Sequence, residues 1–367
     1  MTALSQLAAQ LASEDFTSIP IIDLSDARSP DLDKRKALAT TIRDACLNAG
    51  FFYVKNHSVP EKVVSDVFEQ SHDFFALPSE TKRTVDISKS GGNFRGYMAL
   101  LSENNDPTKQ GELHEAFNLG LDPSLDAASH DEQTKSQGEL VHSDNLWPAE
   151  GDWKQAAAFR QATLDYYASV LALGQSLFPL FALALDLPED FFDDKVRCAI
   201  LERHDGTVYV ELTLQIQHPA AIMRLLFYPA QKEKPITEEN PGIGAHTDFE
   251  CFTILRQDDV PALQVQNRAG EWIDAICIPN TFIINIGDQF ARWTNDIFVS
   301  TRHRARPATT KDRYSIPFFF GCDHDVPLIP PPTCVSEERP VRYEVMTAGA
   351  YVHMRLSETY TVGKSEA

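Results

Sequence analysis

The pattern that most constrains the fold of this chain is formed by three residues, His246, Asp248 and His303. One residue separates His246 from Asp248, so on a β-strand their side chains point to the same side and can bind one ion. His303 lies fifty-seven positions after His246, and the fold has to bring it back to the same point. Two imidazoles and one carboxylate on one face of a metal are typical of non-haem Fe(II) sites. The pattern therefore predicts bound iron with three open positions, enough for a bidentate cosubstrate and dioxygen.

A second pattern, Arg313 and Ser315, begins ten residues beyond His303. The two side chains share one face of a strand, where the guanidinium binds a carboxylate bidentately and the hydroxyl adds a donor. The next residues, 316–320, are strongly apolar. Because an unpaired buried guanidinium is costly, this context favours a cavity that binds an anion over a surface strand with a solvated Arg313.

Both patterns belong to a larger resemblance. The chain resembles the isopenicillin N synthase-like 2-oxoglutarate/Fe(II) oxygenases from about residue 19 to residue 360. Five further stretches carry the resemblance: residues 285–295, 300–304, 19–24, 49–57 and 95–97. The first precedes His303 and the second contains it, and the last three look like the leading domain of that family.

The resemblance implies an α+β fold, with a double-stranded β-helix (jelly-roll) core and flanking N-terminal and C-terminal helices. It divides the chain into an N-terminal oxygenase-associated region (15–145), a helical segment (146–221) and an Fe(II)/2-oxoglutarate jelly-roll domain (222–360). Apolar periodicity predicts helices over 32–49, 60–77 and 152–186 and strands over 19–24 and 51–55. The polar stretch 102–145 is predicted to be a long excursion over the mouth of the site. Residues 196–217 do not fit the family and are predicted to be peripheral, as an added hairpin or a translated intron.

The activity implied by the resemblance is that of a dioxygenase using Fe(II), 2-oxoglutarate as cosubstrate and O2. Oxoglutarate would chelate the metal, while Arg313, Ser315 and Tyr228 hold its far carboxylate. Oxidative decarboxylation to succinate and carbon dioxide would then be coupled to oxidation of a C–H bond. Hydroxylation is the default outcome, and desaturation or cyclisation stays open. No catalytic residue is predicted beyond the three metal ligands.

Two residues depart from the family pattern near this site. Leu226 stands where the family has Asn, which removes a polar contact near the keto-acid end of oxoglutarate. Glu250 stands where many members have Gly. If the strand continues, Glu250 shares the face of His246 and Asp248 and meets substrate, whereas a turn would point it into solvent. Asn285 is a candidate for a contact just outside the metal ligands.

The substrate is predicted to be a small organic molecule, largely hydrophobic or aromatic, of the kind found in microbial secondary or nucleobase metabolism. Candidate substrate contacts are Tyr97, Phe117, Glu250 and Phe318, and the wider set of apolar candidates adds Phe94, Phe227 and Phe320. Each aromatic residue in this set is more often part of a core than of a pocket.

Four alternatives to this function remain open from the sequence. An isopenicillin N synthase-type Fe(II) oxidase would need no oxoglutarate, since Arg313 and Ser315 would bind the substrate's own carboxylate. An enzyme that converts oxoglutarate to ethylene would use the same ligands. A non-catalytic jelly-roll binding protein and a hydrolytic zinc enzyme are also compatible with parts of the pattern.

Composition argues against several kinds of partner and site. The 367 residues carry a formal net charge of −20, which argues against nucleic acid or an anionic membrane as a partner. Six scattered cysteines show no Cys-x-x-Cys pair, so we expect neither a zinc site nor a disulfide framework. No apolar run is expected to span a membrane, and the first residues lack the basic start of a signal peptide. These features predict a cytoplasmic protein with no obligate protein partner.

Overall fold

Two facing β-sheets, flanked by helices, form the centre of the protein in this computed structural model. The structure describes residues 3–11, 15–104, 111–125, 144–196, 219–231, 241–308 and 311–361. The predicted insertion at 196–217 lies outside these residues, apart from its first position. The fold is the predicted jelly-roll core with flanking helices.

Twelve strands make up the two sheets. They are β1 (Ile21–Asp23), β2 (Phe51–Lys55), β3 (Gly96–Met98), β4 (Glu115–Gly120), β5 (Pro219–Tyr228), β6 (Ile243–His246), β7 (Phe252–Gln257), β8 (Leu263–Gln266), β9 (Trp272–Asp274), β10 (Phe282–Ile286), β11 (His303–Ala305) and β12 (Arg313–Asp323). The larger sheet has the order β1-β2-β10-β7-β12-β5-β4-β3 and the smaller one β6-β11-β8-β9. All described pairings are antiparallel except β1 with β2.

Seven α-helices are found among the described residues. They are α1 (Ala3–Leu11), α2 (Leu32–Asn48), α3 (Glu61–Phe75), α4 (Ser79–Lys82), α5 (Ala156–Ala184), α6 (Asp288–Trp293) and α7 (Ala348–Thr361). The helices predicted from periodicity correspond to α2, α3 and α5. Asp31 caps α2, because its side chain accepts a hydrogen bond from Asp33 N at 3.0 Å.

The N-terminal region is paired into the larger sheet. β2 pairs with β10, and β4 pairs with β5 along its whole length. The prediction that 102–145 is a loop throughout is therefore wrong for β4, a six-residue strand with mostly buried side chains. Residues 105–110 and 126–143 of that stretch lie outside the described part of the chain. The proposed boundaries between the three regions stay a prediction.

Helix α5 covers the outer face of the larger sheet. Gly174 lies so close to this sheet that a Cβ there would be 2.3 Å from the Phe320 ring, which explains a glycine in mid-helix. Among the described residues this helix alone is long and apolar enough, by length and composition, to cross a membrane. Most of that stretch is buried, and α5 packs against α2 and α3, as in the core helix of a globular fold.

Side chains alternate strictly between the two faces of the larger sheet. On β12, Arg313, Ser315, Pro317 and Phe319 face the space between the sheets, where they line a cavity of about 250 Å³. Phe318 and Phe320 point the other way, into the core under α5. The sheet thus separates a ligand-sized cavity, which has polar groups at its ends, from an aromatic core.

Candidate metal centre

The three predicted metal ligands meet at one end of the cavity. His246 ends β6 and His303 begins β11, and the two residues are directly opposite each other in the smaller sheet. Asp248 follows β6 by two residues. Its Oδ1 is 3.5 Å from Nε2 of His246 and 3.5 Å from Nε2 of His303. One donor atom from each of the three side chains lies within 4.8 Å of the other two, a separation that one ion can bridge.

Backbone carbonyls orient both imidazoles. Nδ1 of His246 is 2.8 Å from Gly244 O, and Nδ1 of His303 is 3.2 Å from Thr301 O. A carbonyl oxygen only accepts hydrogen bonds, so each Nδ1 carries a proton, and in the neutral imidazole Nε2 then keeps its lone pair. The outer contacts therefore select the tautomer that binds a metal through Nε2.

The carboxylate of Asp248 is held through its second oxygen. Oδ2 accepts hydrogen bonds from Thr253 Oγ1 and, at 2.7 Å, from Asn285 Nδ2, which leaves Oδ1 facing the imidazoles. Burial opposes ionisation, but when the two imidazoles are protonated, the charge of His303 and the hydrogen bonds from both histidines outweigh it and hold the pKa of Asp248 well below its usual range. The site thus presents an ionised carboxylate and two imidazole nitrogens. This donor set fits Fe(II), with ligands on one side and open cavity on the other.

Arg313 lies on the inner face of the larger sheet, at the start of β12 and at the end of the cavity away from the metal ligands. Its side chain is 1% exposed. Among the described residues its hydrogen-bond partners are uncharged, namely Ser315 Oγ at 3.3 Å and Gln257 Oε1 at 3.2 Å, and its Nε has no partner. The guanidinium also stacks on the ring of Tyr228, 4.6 Å from its centroid. A buried cation whose hydrogen bonds reach only neutral groups fits a site that an anionic ligand completes.

The other residues expected near this anion site are found there. Ser315 pairs with Leu226 and Arg313 pairs with Tyr228, so all four residues lie in adjacent positions of β5 and β12. Leu226 lines the cavity, so a leucine does replace the expected amide in that wall. Gln257 of β7 pairs with Ser315 of β12, and the sequence analysis did not predict that it lies at this site.

Three of the four predicted substrate contacts are in the core. Phe318 contacts Tyr167 of α5 at 4.9 Å between ring centroids, and Phe117 contacts Phe74 of α3 at 5.0 Å. Tyr97 is buried and donates a hydrogen bond to Glu115 Oε2 at 2.7 Å. The prediction that these residues line the substrate pocket is corrected, because strand alternation points them away from the cavity. Of the wider apolar set Phe94 lines the cavity, whereas Phe227 and Phe320 pack in the core.

Glu250, the fourth predicted contact, lines the cavity although the strand does not continue to it. β6 ends at His246, and a bend over residues 249–251 turns the side chain inward instead of into solvent. The residue is 5% exposed, and its Oε2 has no hydrogen-bond partner. Burial, and then repulsion from Asp248, raises the pKa of Glu250 to about 8.

A second group of ligand-type side chains, Glu103, Glu112 and His114, lies in the cavity wall. Arg224 already neutralises it, because its Nη2 is 2.6 Å from Glu103 Oε2, and the same oxygen is 3.1 Å from His114 Nε2. Arg224 Nε in turn donates to Asn118 Oδ1 at 2.9 Å. We interpret this cluster as an ion-pair network that fixes the wall, because a guanidinium is already paired with one of its carboxylates.

Several cavity residues escaped the sequence analysis. Thr253, Arg224 and Arg95 line the cavity and Gln257 contacts Arg313, yet the sequence analysis gave none of the four a role in the site. The alternation of side chains along β7 could have indicated two of them, because Thr253 and Gln257 point to the same face of that strand. Arg95 could not be assigned, because its contact with the cavity depends on the approach of β3 and β4.

Two family models match the chain. The N-terminal model, described as non-haem dioxygenase in morphine synthesis N-terminal, matches residues 19–150. The model of the 2OG-Fe(II) oxygenase superfamily matches residues 219–321, which include the three candidate metal ligands and Arg313.

Curated relatives and solved structures agree with these matches. The chain is 34% identical to the 2-oxoglutarate-Fe(II) type oxidoreductase ppzC of Metarhizium rileyi, over 94% of this chain and 88% of the relative. It is 33% identical to the 2-oxoglutarate-Fe(II) type oxidoreductase hxnY of Emericella nidulans, over 91% and 90%. Among solved structures, a full-length Neurospora crassa protein in complex with alpha-KG and thymine matches with a TM-score of 0.75 and 28% identity, over 93% and 97%.

Proposed function

The chain belongs to the 2OG-Fe(II) oxygenase superfamily, and we propose that its reaction is carried out by iron bound to His246, Asp248 and His303 and by oxoglutarate bound to Arg313, Ser315 and Tyr228. It is an oxidoreductase that depends on Fe(II), 2-oxoglutarate and O2. The alternative that the chain is a non-catalytic jelly-roll binding protein is therefore excluded. The observation that carries the residue assignment is the convergence of three donor atoms on one point, each fixed by its own hydrogen bonds.

The outer contacts keep the ligands ready to bind. Because Gly244 O and Thr301 O hold Nδ1–H of the two histidines, their Nε2 atoms do not have to reorient when metal enters. Thr253 and Asn285 hold Oδ2 of Asp248 and leave Oδ1 for the metal. Such contacts raise metal affinity by fixing geometry in advance.

The distance between the metal end and the anion end suits a short diacid. Thr253, which contacts Asp248, and Gln257, which contacts Arg313, are four residues apart on β7, or about 13 Å along the strand. The Arg313 side chain and a five-carbon diacid together can cover that span. Arg313 would bind the far carboxylate bidentately, Ser315 would donate a further hydrogen bond, and the Tyr228 ring would shield the pair from water.

When bound, Fe(II) and oxoglutarate supply the oxidative chemistry, in which oxoglutarate loses carbon dioxide, succinate forms and a substrate C–H bond is oxidised. The chain's own share is to bind, orient and exclude water. Pro317, Phe319 and Leu255 give the cavity between the two ends an apolar lining, which keeps bulk water from the reacting atoms. We propose hydroxylation as the outcome.

The cavity supports a small substrate. Its volume of about 250 Å³ suits a compact molecule beside oxoglutarate, and not a polymer. The Neurospora crassa structure that contains thymine supports a substrate of nucleobase type. A cytoplasmic location and the lack of nucleic acid, membrane or obligate protein partners remain predictions.

The experiment that tests this function measures succinate release. Purified protein, reconstituted anaerobically with Fe(II), is mixed with oxoglutarate and oxygen and screened against a library of small metabolites. We expect succinate release that requires both Fe(II) and oxoglutarate and rises with particular compounds. Oxygen consumption without oxoglutarate would instead favour the oxidase alternative.

A further inference from the structure

Arg95 is a second buried guanidinium that lines the cavity. It lies just before β3 and is 6% exposed. No described residue accepts a hydrogen bond from it or forms an ion pair with it, and its Nε is fully buried without a partner. The guanidinium lies over Gly120 of β4, where a Cβ would be 2.1 Å from Nη2. The fold thus keeps a glycine at this position and places at the cavity a buried charge that no described residue pairs, which would be costly without a ligand.

Strand register places Arg95 on the metal side of the cavity. Gly120 pairs with Ile222, Ile222 pairs with Phe319, and Phe319 pairs with Thr253, in one row across four strands. Thr253 contacts the metal ligand Asp248. Three strand spacings of about 4.8 Å separate the ends of this row, or roughly 14 Å between backbones. Arg313 lies in a different row, six residues further back on β12, about 20 Å along the strand from Phe319.

The other arginines that line the cavity already have protein partners or a ligand assigned. Arg224 is paired with Glu103, and Arg304 donates to Gln264 Oε1 at 2.9 Å and lies over the Trp272 ring. Arg313 is assigned to oxoglutarate. Of the cavity arginines in the described chain, Arg95 therefore remains for a substrate group.

We propose that Arg95 binds an acidic group of the substrate, so that the substrate is a small carboxylic acid whose oxidised carbon lies beside the metal ligands. This inference rests on the proposed function. A planar carboxylate matches the guanidinium bidentately, and a bound acid would supply the counter-charge that the described residues do not give Arg95. Glu250 also lines the cavity, and its partnerless oxygen offers a second hydrogen bond to the same molecule.

The test measures binding of matched probes to the anaerobic holoenzyme with Fe(II) and oxoglutarate. The probes are benzoate, phenylacetate, indole-3-carboxylate and related mono- and bicyclic aromatic acids, each paired with its primary amide. Calorimetry should find acids that bind at least tenfold more tightly than their amides. Arg95→Gln should abolish that preference, and Arg95→Lys should restore part of it. A panel in which no acid exceeds its amide, or a preference that survives in Arg95→Gln, would overturn the proposal.

Two further measurements separate a binding role from a structural one. Arg95→Met removes an unpaired buried charge, so the melting temperature of the ligand-free protein should stay the same or rise, whereas a structural arginine would lower it by several degrees. Arg83→Gln, a change at an exposed arginine, should keep the preference for acids. If the wild type releases no succinate, the proposed function is contradicted. The difference between acid and amide binding still tests the role of Arg95 in that case.

Discussion

The side-chain amide of Asn285 donates to Asp248 Oδ2 at 2.7 Å and thereby turns Oδ1 of that carboxylate toward the two imidazoles. Asn285 comes from β10, and Asp248 comes from the bend after β6, so the contact joins the larger sheet to the smaller one. The metal site therefore depends on packing between the sheets as well as on its three ligands.

Asn285→Ala should weaken Fe(II) binding by about 10- to 100-fold, because Asp248 loses one of the two contacts that orient it. Anaerobic iron titration measures the effect. Asn48→Ala, which removes an amide that accepts a hydrogen bond from Arg268 at the surface, is the matched control and should bind iron normally. Equal affinity in Asn285→Ala and the control would show that Thr253 alone orients the carboxylate.

His246→Ala should abolish iron binding and turnover and leave the fold largely intact, because the side chain is partly exposed and its hydrogen bond to Gly244 O lies within β6. Iron content after reconstitution and the melting temperature measure the two effects separately. His353→Ala, at an exposed position of α7, should keep both properties. Turnover near that of the wild type in His246→Ala would contradict the ligand assignment.

Arg313→Ala should raise the KM for oxoglutarate by roughly 30- to 1000-fold, since it removes a charge-assisted bidentate contact worth about 2–4 kcal/mol. The iron requirement should change far less, because Arg313 lies at the other end of the cavity. Steady-state succinate release at varied oxoglutarate, and separately at varied Fe(II), distinguishes the two. An unchanged KM for oxoglutarate would assign Arg313 to another ligand.

His57 should make stability depend on pH. Burial, assisted by the charge of Arg256, lowers the pKa of His57 to about 4. Between pH 6.5 and 4 the unfolded chain binds a proton that the folded protein does not, so this part of the stability is complete above pH 6.5 and is lost as the pH falls. With allowance for solvent screening, the loss is about 2 kcal/mol.

His57→Gln should remove that component, so the difference in unfolding free energy between the variant and the wild type should shift in favour of the variant from about pH 7 to about pH 5. Urea unfolding at the two pH values measures the shift. A constant difference would show that His57 titrates alike in both states.

Much of the metal and anion sites could be predicted from residue type and spacing. The spacing of His246, Asp248 and His303 suggested a metal site, the pair of Arg313 and Ser315 beside an apolar run strengthened it, and the family resemblance made it specific. These positions carry chemistry that no core requires, so their signal does not depend on knowing the fold.

The substrate side could be predicted less well, for physical reasons. An aromatic residue is compatible with both a core and a pocket. Phe318 was predicted to line the pocket, although strand alternation points it to the opposite face of the strand from Arg313 and Ser315. Glu250 turns inward through a bend after β6, and a local sequence pattern does not fix that direction. Arg95 reaches the cavity only because Gly120, on another strand, leaves room for it.

The most direct test of the account is diffraction at the iron absorption edge from crystals grown anaerobically with Fe(II) and oxoglutarate. We predict one anomalous peak, about 2.1 Å from Nε2 of His246, Nε2 of His303 and Oδ1 of Asp248, a distance usual for first-row metals with these ligands. Iron bound elsewhere, or no peak at these three atoms in protein that releases succinate, would contradict the central claim.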